Sequence, residues 1–475
     1  MRGRVLIVVL LLVAVACAAV AVWPEVAPRP GTNYEAVPTT PVFSLRRAPT
    51  VLSDLIADGR LVDSLEKAFA DPALGPARDR ACLTVRDAGG RPVYDRNGDV
   101  MLIPASNMKI FTGLAALTRL GAQTRLVTEV EAARTPTGGV VEGDLWLVGG
   151  GDPLLAVADF AAVAGYLGRP RLSTSMESLA DRVVASGVRE VRGRVLGDES
   201  RYDTQRYVPT WNPTYATESE IGPMSALTVN GGFVQWRPRA VPAPAPATNG
   251  AAVLTALLRQ RGVVVAGEAG EGRVPAGAAA VASIESPPIA EIVAVLLRES
   301  DNLTAELLVK ELGVRFGGNG STSAGLKVMR DTLASMGLPI DDYSAVDGSG
   351  LDRSDRLSCD LLEAALAHVG QDGPLAESLP LAGQDGTLTR RFVGTPAAGR
   401  IRAKTGSLQG VIGLSGWATG QDGRPVQFSF LANDLPRGPA GDVLETRVVS
   451  ALVAYPQAPS PAELGPEAPR PVSDE

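Results

Sequence analysis

An α/β fold of more than one domain is predicted, in which helical and mixed segments at both ends enclose a β-rich middle of roughly 150 residues. Three observations carry this. Apolar residues recur at helical spacing over 289–297, 305–312 and 325–336. Between about 125 and 285 the texture changes to short β-like segments punctuated by glycine and proline. At 475 residues the chain is too long for one compact core and suits two or three domains.

In order, residues 1–23 place Arg2 and Arg4 ahead of an apolar run, 5–23, and Pro24, Pro28 and Pro30 follow. This is a secretory signal or an uncleaved membrane anchor, and either puts the bulk of the protein outside the cytoplasmic membrane, in the cell envelope or periplasm or secreted. Cys17 follows Ala14-Val15-Ala16, a loose likeness to a lipoprotein cleavage box, with Ala rather than Leu three residues before it. Residues 24–50, rich in Pro, Thr and Ala, read as a linker. Residues 51–125 form the first part of an α/β domain. Apolar spacing over 51–74 suits helices, 82–94 reads as a β-hairpin around Gly89-Gly90, and Pro104 introduces a helix over 106–120.

The β-rich middle, 126–285, is read as an insertion, with strands at 144–148 and 193–197 and a Pro/Ala-rich surface loop or linker at 240–247. Residues 286–456 return to the first domain, with three helical stretches, a helical pattern around His368, neighbouring antiparallel strands at 410–418 and 426–432, and a last helix at 443–453 before Pro456. The proline-rich tail, 457–475, is expected to be disordered.

Formal net charge is −7 and no Lys/Arg cluster stands out, which argues against a nucleic-acid partner. The single histidine, His368, excludes a multi-His zinc site, and no metal or cofactor is expected. A Ser-His-Asp triad would have to recruit this residue, whose helical surroundings suit a structural or surface role. Cys82 and Cys359, in an oxidising compartment, either pair or remain buried thiols; their separation in sequence does not decide between these.

Three triplets carry chemistry. Ser106-Asn107-Met108-Lys109 puts a serine and a lysine three apart on one helix face, so the amine can reach the hydroxyl. A serine hydroxyl is a poor nucleophile until a base takes its proton, and lysine is a base only when neutral. Burial and a nearby cation both favour the neutral form, and Lys404 is the natural cation. Ser300-Asp301-Asn302 supplies a hydroxyl at Ser300 to relay a proton and an amide at Asn302 to hold the lysine and the substrate. In Lys404-Thr405-Gly406, Lys404 and Thr405 suit a carboxylate, and side-chain-free Gly406 lets a substrate backbone approach. The N–H groups of Ser106 and Ser407 are candidate oxyanion donors.

Ser-x-x-Lys alone is weak, and Ser64-Leu65-Glu66-Lys67 is a second copy, read as an exposed face of an amphipathic helix. What lifts the triplets above chance is their order and the use of two of only five lysines. Gly149-Gly150-Gly151 follows a strand, but no Gly-Lys-Ser/Thr accompanies it, so a phosphate loop is unsupported.

With these motifs the chain resembles the D-alanyl-D-alanine carboxypeptidase/endopeptidase family, the class C low-molecular-mass penicillin-binding proteins. The blocks 147–153, 347–351 and 383–388 share the likeness, which spans most of residues 80–435. The resemblance implies a DD-peptidase/β-lactamase-like fold: an antiparallel sheet sandwiched by helices, with an inserted accessory domain. It implies a serine D-Ala-D-Ala peptidase acting on peptidoglycan stem peptides and acylated at Ser106 by β-lactam antibiotics. By position, Asp152 and Arg353 become candidates for contacting the diaminopimelate side chain, beside blander readings as a turn-forming Asp-Pro and a solvated arginine. Asp352 stands where the family usually has serine, and the interval from Ser106 to Ser300 is shorter than in many relatives, which implies a reduced or absent third, nested domain. The competing readings are a β-lactamase or esterase on the same scaffold, and a catalytically idle envelope protein that binds peptidoglycan.

Overall fold

The computed structural model describes residues 40, 43–164 and 170–466. The apolar run 5–23 with Cys17, most of the linker 24–50 and the end of the tail, 467–475, lie outside them. Among the described residues no helix is long and apolar enough to cross a membrane. The chain divides into two compact units, Ala57–Gln457 and a small one made of the two ends. Within the small unit, Ser53 Oγ donates to the Pro459 carbonyl at 2.9 Å. One helical turn there, Pro461–Leu464, carries a capping box between Ser460 and Glu463, so part of the tail expected to be disordered is structured.

The main elements in chain order are α1 (Pro49–Phe69), β1 (Ala81–Arg86), β2 (Pro92–Arg96), α2 (Met108–Arg119), β3 (Val127–Ala132), β4 (Leu145–Val148), α3 (Met176–Ala185), β5 (Val195–Asp198), α4 (Pro246–Gln260), β6 (Gly270–Glu271) and β7 (Ala279–Glu285). There follow α5 (Ile289–Arg298), α6 (Asn302–Phe316), α7 (Thr322–Ser335), α8 (Cys359–Val369), β8 (Ile401–Leu408), β9 (Val411–Thr419), β10 (Pro425–Ala432) and α9 (Ala440–Ala454).

One sheet runs β8-β9-β10-β1-β2, antiparallel throughout. Its strands come from two distant stretches of sequence, and β1 lies inside it because all but its last residue are buried. Side-chain alternation along β10 shows how both faces are covered. Phe430 meets Phe69 of α1 with ring centroids 6.3 Å apart. Its neighbour Leu431 joins the opposite core, with Met108, Ile292, Leu308 and Leu362 from α2, α5, α6 and α8. This is an antiparallel sheet between helical layers, as the family likeness implied. Cys82 of β1 and Cys359 at the start of α8 are disulfide-bonded, with Cα atoms 6.0 Å apart across 277 residues of sequence. That settles the alternative left open by the sequence.

The second five-stranded sheet, β6-β5-β4-β3-β7, lies wholly in the middle of the chain and is mixed: β4, β5 and β6 pair in parallel, β3 and β7 antiparallel. Parallel neighbours need crossovers, and α3 and α4 provide them. Met176, Leu179, Ala180 and Val183 on α3, and Ala247, Ala251, Leu254 and Leu258 on α4, fall at helical spacing and form one core with the sheet. The middle is therefore α/β rather than simply β-rich. Part of the loop expected at 240–247 is structured as well. Pro246 occupies the first turn of α4, where its missing N–H is harmless, and Ala243 and Ala247 are buried.

Candidate active site

Ser106 sits in a single 3-10 turn, Ala105–Asn107, that leads directly into α2. The turn is tight: Ala105 is held at φ 47°, a left-handed conformation unfavourable to a residue with a Cβ. Its surroundings hold it there. A Cβ on Gly350 would lie 1.9 Å from the Ala105 carbonyl oxygen. One on Gly406 of β8 would lie 2.6 Å from Asn107 Nδ2, and one on Gly413 of β9 2.4 Å from the same atom. Gly406, expected to admit the substrate backbone, thus makes room for the serine turn against the sheet.

Three residues on, Lys109 is fully buried. Its Nζ meets Ser106 Oγ at 2.9 Å, Asn302 Oδ1 at 2.6 Å and the Ser349 carbonyl at 2.6 Å. Burial pulls its pKa down to about 8, against the opposing pull of Asp347, Glu306, Asp301 and Glu220. Lys404 was expected to be the cation that depresses Lys109. Instead Lys404 is itself depressed, well below the usual lysine range, by burial and then by Lys109. For both lysines burial is the larger cause, and the carboxylates near Lys109 oppose it there. Lys404 Nζ lies 2.9 Å from Ser300 Oγ and 2.8 Å from the Thr405 carbonyl.

Ser300 also has a left-handed backbone, φ 58°. Asp301 beside it caps α6, accepting the Thr304 N–H at 2.6 Å. Asn302 uses both ends of its amide: Oδ1 faces Lys109, and Nδ2 donates to the Glu220 carbonyl at 2.8 Å.

Below Lys109 lies a buried acidic floor. Glu306 Oε1 accepts the N–H groups of Gly348 (3.0 Å) and Ser349 (2.8 Å). Asp347 accepts those of Ser349, Gly350 and Asp352, together with the Trp211 indole N–H at 2.7 Å. Thr112 Oγ1, one turn beyond Lys109, donates to the Gly348 carbonyl at 2.6 Å. The loop that presents the Ser349 carbonyl to Lys109 is therefore tied from both sides. Burial and the charge of Asp347 push Glu306 up to about 8 and Asp355 up to about 10.

Ser106, Ser300, Asn302, Thr405, Ser407 and Arg353 line one cleft of about 1260 Å³, with the amines of Lys109 and Lys404 bonded to its serines from behind. The chain as a whole is similar to known proteins. The family model described as D-Ala-D-Ala carboxypeptidase 3 (S13) matches residues 61–244 and 237–449. The chain belongs to the S13 peptidase family. A D-alanyl-D-alanine carboxypeptidase of an Actinomadura species is 31% identical, over 90% of this chain and 91% of that protein. A carboxypeptidase of Mycobacterium tuberculosis is 32% identical, over 90% and 89%. Penicillin binding protein 4 from Haemophilus influenzae has the same fold, with TM-score 0.67 at 21% identity, over 77% of this chain and 94% of that one.

In this S13 peptidase two candidates from the sequence fall differently. Arg353 is exposed in the cleft and donates to the Gln409 carbonyl at 2.9 Å. Asp152 is not among the cleft-lining residues: it is buried after β4, its Oδ1 accepting the Leu154 N–H at 2.8 Å, in keeping with a turn-forming Asp-Pro. Its charge is disfavoured there, and burial raises its pKa to about 6. His368 lies exposed in the last turn of α8, outside the cleft. Among the described residues no group of three or more His, Cys, Asp or Glu is placed to hold a metal ion.

Sequence reasoning missed Thr387, whose hydroxyl accepts from Thr405 Oγ1 at 2.8 Å, and the acids Glu306 and Glu220. Thr387 lies in the quoted block 383–388, and that block is the signal that marks it. Nothing local distinguishes Glu306 from any other glutamate on a helix.

Proposed function

We propose that the protein is a serine-type D-Ala-D-Ala carboxypeptidase acting on peptidoglycan peptides through an acyl-enzyme at Ser106. The observation that carries this is the buried lysine amine 2.9 Å from the serine hydroxyl, held near neutrality by burial. Neutral Lys109 takes the Ser106 proton as Oγ attacks the carbonyl carbon of the penultimate D-Ala. The N–H groups of Ser106 and Ser407 receive the oxyanion. Collapse breaks the peptide bond, and the proton that Lys109 took from Ser106 passes through the Ser300 hydroxyl to the departing amine, which leaves Lys109 neutral. Water then attacks the ester, Lys109 takes its proton, and as the acyl–Oγ bond breaks that proton returns from Lys109 to Ser106.

Lys404, Thr405 and Thr387 stand where the substrate's terminal carboxylate would bind. That anion would restore the positive charge on Lys404 that burial disfavours. Arg353 is placed for a second substrate carboxylate, and Asp152 then acts only through the turn that it forms. A β-lactam offers an equivalent carbonyl and carboxylate, so it acylates the same serine.

We read residues 51–125 and 286–456 as one domain and 126–285 as its insertion, since the first sheet draws its strands from both flanks. Export, and anchoring by residues 1–23, remain part of the proposal. The Cys82–Cys359 disulfide supports an oxidising compartment. The test is mass spectrometry after labelled penicillin: one long-lived adduct on Ser106, absent in Ser106→Ala. Full labelling of that variant rejects the nucleophile, and rapid release of the adduct favours a β-lactamase.

A further inference from the structure

Ser300 combines three features. It carries the hydroxyl that meets Lys404, it is left-handed without being glycine, and it lies between two acids, Glu299 and Asp301. A non-glycine residue in that conformation is strained and persists only where its surroundings impose it. One side chain reaches both flanking acids. Arg171, 130 residues away in the middle of the chain, donates from Nη2 to Asp301 Oδ2 at 2.6 Å. Its Nε lies 3.7 Å from Glu299 Oε2. All three side chains are largely buried, at 13% exposure for Arg171, 22% for Glu299 and 15% for Asp301. The backbone N–H of Arg171 is itself anchored on the Ala161 carbonyl at 2.9 Å.

We infer that Arg171 is a positioning residue for the reaction, bracing Ser300 by bridging the carboxylates on either side of it. The inference rests on the roles proposed above for Ser106 and Ser300. A planar guanidinium suits this task because its donors are fixed in one fork, so the two acids cannot move apart independently. The same middle segment supplies the Glu220 carbonyl that holds Asn302 Nδ2, so both residues flanking Asp301 in the triplet depend on contacts made by the inserted part.

Arg171 also sets a charge. Burial pushes the Asp301 pKa up, but the Arg171 charge and the Thr304 N–H outweigh it, leaving an ionised carboxylate below its ordinary range. Asp301 acts on Lys109 together with Asp347, Glu306 and Glu220, and the other amine near Lys109 is that of Lys404, whose charge burial disfavours. Without Arg171, burial is opposed only by the Thr304 hydrogen bonds, so Asp301 loses part of the charge that holds the Lys109 proton.

The test is the second-order rate of Ser106 acylation by labelled penicillin, on the full chain, across about pH 6 to 10. Arg171→Gln should slow acylation roughly 10²-fold, the scale of an ångström-sized misplacement, and Arg171→Lys should recover part of it. The ascending limb of the pH profile should move to lower pH in Arg171→Gln. In Asp301→Asn, which keeps a helix cap but removes the charge, it should move lower as well. A lowered thermal midpoint with unchanged rate and limb gives Arg171 a purely structural role and overturns the inference. If the unsubstituted chain is not acylated, the proposed function fails, and a crystal structure of Arg171→Gln decides this point separately. Ser300 still left-handed and bonded to Lys404 would overturn it; a relaxed Ser300 supports it.

Discussion

The chain contains the same four-residue pattern twice, and the two copies differ in almost everything except spacing. Ser64 and Lys67 lie towards the C-terminal end of α1, both exposed, and Ser64 Oγ donates back to the Arg60 carbonyl at 2.8 Å. That bond satisfies the hydroxyl within its own helix and leaves it no reactive partner. Ser106 and Lys109 have the same i,i+3 geometry, but the lysine is fully buried and its amine is fixed by Ser106, Asn302 and the Ser349 carbonyl. Helical spacing brings an amine within reach of a hydroxyl. Desolvation turns that amine into a base, because only burial makes its charged form expensive.

The sharpest way to break this contrast is to remove the buried amine. Lys109→Met, close in volume, should lower the acylation rate roughly 10²–10⁴-fold, the usual worth of a general base. A stopped-flow rate within a few-fold of wild type would refute Lys109 as the base. Next is pH. Lys109 must be neutral to act and its pKa lies at about 8, so the acylation rate should climb as pH rises through that value. Below it, the rate should fall about tenfold for each unit of pH as the neutral fraction shrinks. A half-maximum near pH 10 would mean that burial does not tune this lysine.

Gly406→Ala probes the packing that sets the serine turn. The new methyl would lie 2.6 Å from Asn107 Nδ2, so the turn must shift. Stability should fall by about 1–3 kcal/mol in a denaturant titration, with slowed acylation. Smallest of all, Ser64→Ala and Lys67→Ala should leave penicillin labelling unchanged and stability within about 0.5 kcal/mol, as for exposed positions. Any loss of labelling in these two would erase the distinction between the copies.

Local chemistry made much of the molecule readable in advance. The helices α5, α6 and α7 and strands β9 and β10 announce themselves through apolar periodicity, and the β1–β2 hairpin through its glycine pair. Where tertiary packing overrides local texture, the reading failed. Proline and alanine around 240–247 looked like a surface loop or linker, yet Pro246 starts the helix that crosses between the parallel strands β5 and β6. Asp152 was left between a substrate contact and a turn-forming Asp-Pro, and only the folded chain shows it buried in a turn after β4. Arg171 and Glu306 gave no signal, because their significance lies wholly in groups 130 and about 40 residues away that meet them only after folding.

By itself, then, the order of residues determined which side chains are chemically able to act: a serine three before a lysine on a helix, a hydroxyl and an amide at a helix start, a second lysine on a strand. It also determined most of the elements that carry them, since periodicity and capping are local properties. Tertiary structure alone decided which of the two serine–lysine pairs is desolvated, that Lys404 is buried beside Ser300, and that Arg171 grips both sides of Ser300. Those outcomes depend on dielectric and on charge at a few ångströms, and such distances exist only once remote segments have packed together.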